Sequence, residues 1–135
     1  MVKFLLFFIS TLYALTGCSQ KQSHTNNGGG SIVLASPKEF TQQLNTEKGV
    51  LLDVRTPAEW EKGHLTNAIL ADISGDSFDA EILKLDTNTT VYVYCASGRR
   101  SANAAVIMQQ KGFRKVVDLD GGIKRWANEG MPIEQ

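Results

Sequence analysis

Cysteine and histidine are scarce in this chain of 135 residues: only Cys18, Cys95, His24 and His64 occur. There is no C-x-x-C pair, and no Cys/His cluster has zinc spacing, which argues against a structural metal site. Charge of one sign is also lacking, because Lys plus Arg and Asp plus Glu both number 14. General attraction to nucleic acid or to an acidic membrane needs a basic excess, so anion recognition has to be local. No internal repeat is present, and the length suits one folded domain rather than two. A hydrophobic content of 42% is enough for a globular core and too high for a disordered chain.

The one long apolar stretch lies at the start. Lys3 supplies an early positive charge, and Phe4 to Ile9 with Leu12 to Leu15 form an apolar run broken by Ser10 and Thr11. Spanning a bilayer takes roughly 20 apolar residues, so the run fits the h-region of a secretory signal better than a transmembrane helix. It ends in Leu15-Thr16-Gly17-Cys18, which resembles the bacterial lipobox. That resemblance implies a signal peptide over residues 1–17, cleavage before Cys18, and diacylglycerol on the Cys18 sulfur. The chain would then be lipid-anchored to the bacterial envelope on its extracytoplasmic, periplasmic side. An ordinary signal peptide, or an uncleaved anchor containing a cysteine, shares these features. Residues 18–31 are polar, with Asn26-Asn27 and Gly28-Gly29-Gly30, and read as a flexible tether carrying a solvated His24. The folded domain is expected over residues 32–135.

Within it, strand and helix signals alternate. Residues 32–34 are of β type, and Ser36-Pro37-Lys38-Glu39 is a capping box with proline at the first helical position, starting a helix that ends near Thr46. Val50 to Val54 is apolar except for Asp53, as in a strand covered on both faces. A short helix over residues 57–61, a strand over 68–70, and a helix capped by Ser77 and running to about Leu85 follow. Residues 91–94 form the clearest strand, followed by a helix over 101–111, a strand over 116–119 and a helix over 123–128. This order predicts an α/β domain around a mainly parallel sheet, with the working site at the carboxyl ends of the strands.

One such end carries Cys95-Ala96-Ser97-Gly98-Arg99-Arg100-Ser101. A cysteine just past a buried strand and just before a helix faces unpaired backbone N–H groups, which stabilise an anion. The helix dipole and two arginines favour thiolate over thiol. Gly98 allows a tight curl, and small Ala96 and Ser97 leave the pocket open.

This loop resembles that of the rhodanese family. The resemblance extends to Leu52-Asp53-Val54-Arg55-Thr56-Pro57-Ala58-Glu59-Trp60, to Gly63-His64-Leu65, and to Asp120-Gly121-Gly122-Ile123-Lys124-Arg125-Trp126. The blocks stand in the family's order and span residues 32 to 132. The resemblance implies a three-layer α/β/α domain around a five-stranded sheet, with Cys95 as the persulfide-bearing nucleophile. It implies that Ala96, Ser97, Gly98, Arg99 and Arg100 form the substrate-binding loop, Arg100 or Arg99 supplying positive charge to an anionic donor such as thiosulfate. Asp53, Arg55, Glu59 and His64 are read as structural support, with Arg55 expected to pair with Glu59. Trp60 and Trp126 are read as packing residues. Asn67 stands where the family often has glycine, and asparagine is the next most tolerant residue of positive φ.

The implied activity is a ping-pong thiosulfate sulfurtransferase, which needs no metal and no organic cofactor. Its acceptor is a thiol or protein that the sequence does not identify, and a monomer is expected. Two other classes share parts of the pattern. A phosphatase or arsenate reductase needs Cys-x5-Arg to enclose a tetrahedral oxyanion, whereas Arg100 closes a Cys-x4-Arg loop here. A lipid-tethered thiol redox sensor or scaffold would use the same accessible, easily oxidised thiol.

Overall fold

The computed structural model describes residues 29–135. The expected signal peptide, Cys18 and most of the polar tether lie outside the described residues. Ten elements follow one another: β1 (Ser31–Ala35), α1 (Pro37–Thr46), β2 (Gly49–Asp53), α2 (Pro57–Trp60), β3 (Ile69–Leu70), α3 (Ser77–Ile82), β4 (Thr90–Tyr94), α4 (Arg99–Gln110), β5 (Lys115–Leu119) and α5 (Gly122–Asn128). The strands form one sheet in the order β1-β5-β4-β2-β3. Every neighbouring pair is parallel, so the sheet is wholly rather than mainly parallel. Parallel neighbours need crossover connections, which the helices supply.

The period of two along each strand divides the core into two layers. Leu52, Val91, Val93, Cys95 and Val116 face α3 and α4, packing against Phe78, Ile82, Ala104, Ala105 and Met108. Leu51, Tyr92, Tyr94, Val117 and Leu119 face the other way, onto Phe40 of α1 and Ile123 and Trp126 of α5. Phe40 meets Tyr92 and Trp126 edge-on, with ring centroids 5.4 and 6.3 Å apart. Each such pair adds about 0.5–1.5 kcal/mol to the burial itself. The result is the three-layer α/β/α arrangement.

Local signals explain most element starts. The Ser36 capping box forms in both directions, with Pro37 in the first turn, and Thr56 with Glu59 builds a second one at α2. Asn67 adopts φ 61°, so the tolerated turn is kept. Two boundaries differ from expectation. Asp76, not Ser77, occupies the cap of α3, and the helix stops at Ile82. Beyond it, Lys84 and Leu85 donate to carbonyls three residues back, the tighter pattern of a closing turn. Helix α4 begins at Arg99, two residues early, because Gly98 takes a left-handed φ of 100° and turns the chain into the helix at once.

Candidate active site

The loops after β2, β4 and β5 meet at the carboxyl edge of the sheet. Cys95 directly follows β4 and is 1% exposed. The Gly98 N–H donates to its sulfur at 3.1 Å. Its carbonyl accepts the Ile123 N–H at 2.9 Å, and the Ala96 carbonyl accepts that of Lys124 at 3.1 Å. The first turn of α5 thus clamps the cysteine loop from behind. Gly122 makes this possible: a Cβ there would lie 2.5 Å from the Cys95 carbonyl oxygen.

Burial pushes the Cys95 thiol up, but hydrogen bonds outweigh it. The Ser101 hydroxyl and the N–H groups of Ser101, Ser97 and Gly98 hold the thiol below its ordinary range. The Ser101 hydroxyl, followed by the backbone amides at the helix entry, therefore does what the sequence assigned to dipole and arginines. Arg99 is exposed, whereas Arg100 is half-buried and is held charged first by its hydrogen bond to Glu59, with a smaller contribution from Cys95. Arg100 is the arginine beside the sulfur.

The expected Arg55–Glu59 pair does not form. Arg55 instead wraps onto Asp53: its Nε lies 2.9 Å from both carboxylate oxygens and its Nη2 lies 2.5 Å from Oδ2. Nη2 also donates to the Gly63 carbonyl at 2.8 Å. Asp53 is fully buried at the strand end, and a buried carboxylate left unpaired is costly, so it captures the nearest guanidinium. Glu59 turns to Arg100, accepting from Nη1 at 2.8 Å and from Nη2 at 2.7 Å. This pairing, helped by the Thr56 bonds and opposed by burial, holds the Glu59 carboxyl down at about 2.

His64 is embedded in structure. Its ring stacks on Trp60 at 3.7 Å, and its backbone exchanges hydrogen bonds with Glu134, each 2.8 Å long. Trp126 is buried, and its indole N–H donates to the Pro132 carbonyl at 2.9 Å. Tyr94, behind the site, accepts the Leu65 N–H at 3.0 Å and lies under the Arg55 guanidinium, 5.5 Å from ring centroid to Cζ. Two groups near the sulfur escaped the sequence reading as site residues: Ser101, taken only as part of the motif, and Asp118 on β5. A carboxylate inside an otherwise apolar strand was the available signal for Asp118.

A cysteine sulfur held by main-chain amides and the Ser101 hydroxyl at the end of a central parallel strand defines an α/β domain of the cysteine-loop class, suited to covalent transfer at sulfur. Residues 36–129 match the rhodanese-like domain model, and the chain belongs to that family. A protein named sulfurtransferase from Allochromatium vinosum is 35% identical over 97 residues, covering 71% of this chain and 89% of that protein. A rhodanese-related protein from Thermoplasma volcanium superposes with a TM-score of 0.67 at 30% identity, covering 76% of this chain and 97% of that one. A rhodanese-like domain protein from Staphylococcus aureus superposes with a TM-score of 0.64 at 29% identity, covering 76% and 99%. The chain is a sulfurtransferase-like rhodanese domain.

Proposed function

We propose that the protein moves sulfane sulfur from a small anionic donor such as thiosulfate to a thiophilic acceptor, through a persulfide on Cys95. The supporting observation is the sulfur itself, directed into a loop of amide donors with Arg100 alongside. The Cys95 thiolate attacks the outer sulfur of thiosulfate. A new S–S bond forms, the donor's S–S bond breaks, and sulfite departs with its electron pair. The acceptor, cyanide or a thiolate, then attacks the outer sulfur and releases the Cys95 thiolate. Loop amides that hold the thiolate also hold the persulfide anion, without reorganisation between steps. Cys-x4-Arg favours this reading over phosphate or arsenate chemistry, because the shorter loop suits one sulfur rather than a tetrahedral oxyanion.

The lipobox-like Leu15-Thr16-Gly17-Cys18 supports a lipid on Cys18 and an extracytoplasmic, membrane-tethered location. With Cys18 so used, Cys95 is the remaining thiol, and its sulfur passes to another molecule rather than to a resolving cysteine. The test is thiocyanate formation from thiosulfate and cyanide. Wild-type protein is expected to turn over and Cys95→Ser to be inactive; retained activity in that variant rejects the mechanism. Palmitate labelling that is lost in Cys18→Ala checks the anchor.

A further inference from the structure

Asp118 interrupts the apolar run of β5 and is 2% exposed. The register pairs it with Val93 on β4, and the strand period puts Val93 and Cys95 on the face covered by α4. Asp118 is therefore a diagonal neighbour of Cys95 on one side of the sheet. Ser101, fully buried in the first turn of α4, closes over both. Its hydroxyl donates to the Gly98 carbonyl at 3.2 Å and lies close enough to the Cys95 sulfur and the Asp118 carboxyl to lower both, so that three acceptors surround it. A serine hydroxyl has a single proton to give. Asp118 Oδ1 is buried without a partner, an arrangement costly for a carboxylate and tolerable for a neutral acid.

Few charges act on this carboxyl. Burial pushes it up to about 6, the Ser101 hydroxyl draws it down, and the Asp120 charge raises it further. From β4 it faces Cys95, and from α4 it faces Ser101, with Arg100 turned to Glu59 and Arg99 exposed. Beyond β5, Asp120 is paired with Arg125, and β1 brings only Leu34 to the same register.

We propose that Asp118 is a positioning residue for Cys95: through the one Ser101 hydroxyl proton, its protonation state decides how firmly the anionic sulfur is held. A neutral Asp118 donates to Ser101 Oγ and leaves the hydroxyl proton for the sulfur. An ionised Asp118 competes for that proton and adds negative charge behind the sulfur. The first state stabilises thiolate and persulfide; the second leaves a more basic sulfur. This inference rests on Cys95 being the reactive anion, and is independent of which donor it meets.

The test reads thiol ionisation, not sulfur transfer, so failure of the transferase assay and failure of this proposal are distinguishable. The midpoint of Cys95 ionisation is measured from the pH dependence of iodoacetamide alkylation. In Asp118→Asn the side-chain amide donates to Ser101 at every pH, and the midpoint is expected to fall by about 0.5–1 unit. In a Ser101→Ala background the same substitution is expected to move it by less than about half as much. A change below about 0.2 unit in Asp118→Asn, or an undiminished one without the serine, overturns the proposal. A second measurement needs no variant. The Asp118 carboxyl-carbon NMR resonance is expected to shift again at the alkylation midpoint of Cys95, and capping Cys95 with iodoacetamide, which leaves a neutral sulfur, is expected to remove that second step, because coupling is reciprocal. An unchanged Asp118 titration overturns the proposal as well.

Discussion

Glu59 and Arg100, separated by 41 residues in sequence, form a two-point ion pair at 2.7 and 2.8 Å that ties the cap of α2 to the first turn of α4. The pair fixes the one arginine beside the Cys95 sulfur, and four consequences of such linkages are open to measurement.

The first concerns acid stability. The Glu59 carboxyl titrates at about 2 when folded, against an ordinary 4.5. A depressed carboxyl contributes stability above its unfolded value and loses it as pH falls from about 5 toward 2. Solvent screening of this partly exposed pair reduces the contribution to about 1 kcal/mol. Urea titrations at pH 7 and pH 3 are expected to show a smaller acid loss in Glu59→Gln than in wild type; identical losses disprove the assignment.

The second concerns the buried pair behind the site. Asp53→Ala leaves the Arg55 guanidinium buried without its carboxylate and is expected to cost about 3–5 kcal/mol in denaturant unfolding. Replacing both residues together, Asp53→Leu with Arg55→Met, is expected to cost less than the single change. A single-variant loss under about 1 kcal/mol contradicts this account.

Gly122 supplies the third. Alanine there places a Cβ 2.5 Å from the Cys95 carbonyl oxygen and 2.7 Å from the Ala96 carbonyl, at a φ of +60°. The loop has to move, and displacing a reacting atom by about 1 Å costs on the order of a hundredfold in kcat/KM. Gly122→Ala is expected to keep its far-ultraviolet circular dichroism while losing thiosulfate:cyanide activity by about that factor. Near-normal activity rules out the clamp.

The fourth follows from the sulfur's hydrogen bonds. With the Cys95 thiol held below its ordinary range, the reactive thiolate is present at lower pH than in a free cysteine. Alkylation is expected to reach half its maximum rate below about pH 8.5, the ordinary thiol midpoint. A midpoint at or above that value shows that burial, not hydrogen bonding, dominates.

The contrast between Arg55 and Arg100 shows where the sequence stops being legible. The Ser36 capping box, the buried strands and the cysteine loop are local patterns, set by spacing over two to four residues, and each is found where the sequence places it. The partner of each arginine is a three-dimensional choice between carboxylates. Arg55 was expected to take Glu59, one turn ahead. Full burial of Asp53 makes that carboxylate the more demanding partner, and Glu59 turns across to α4 instead.

The sequence by itself determined the alternation of strands and helices, the placement of Cys95 between a buried strand and a helix, and the glycine that turns the loop. These depend on local propensity, hydrophobic period and backbone freedom. Only the tertiary structure decided that the sheet order brings β5 beside β4, that Asp118 lies behind Ser101, and that α5 grips the Cys95 and Ala96 carbonyls. Those relationships come from burial and parallel register between distant segments, and no short-range pattern encodes them.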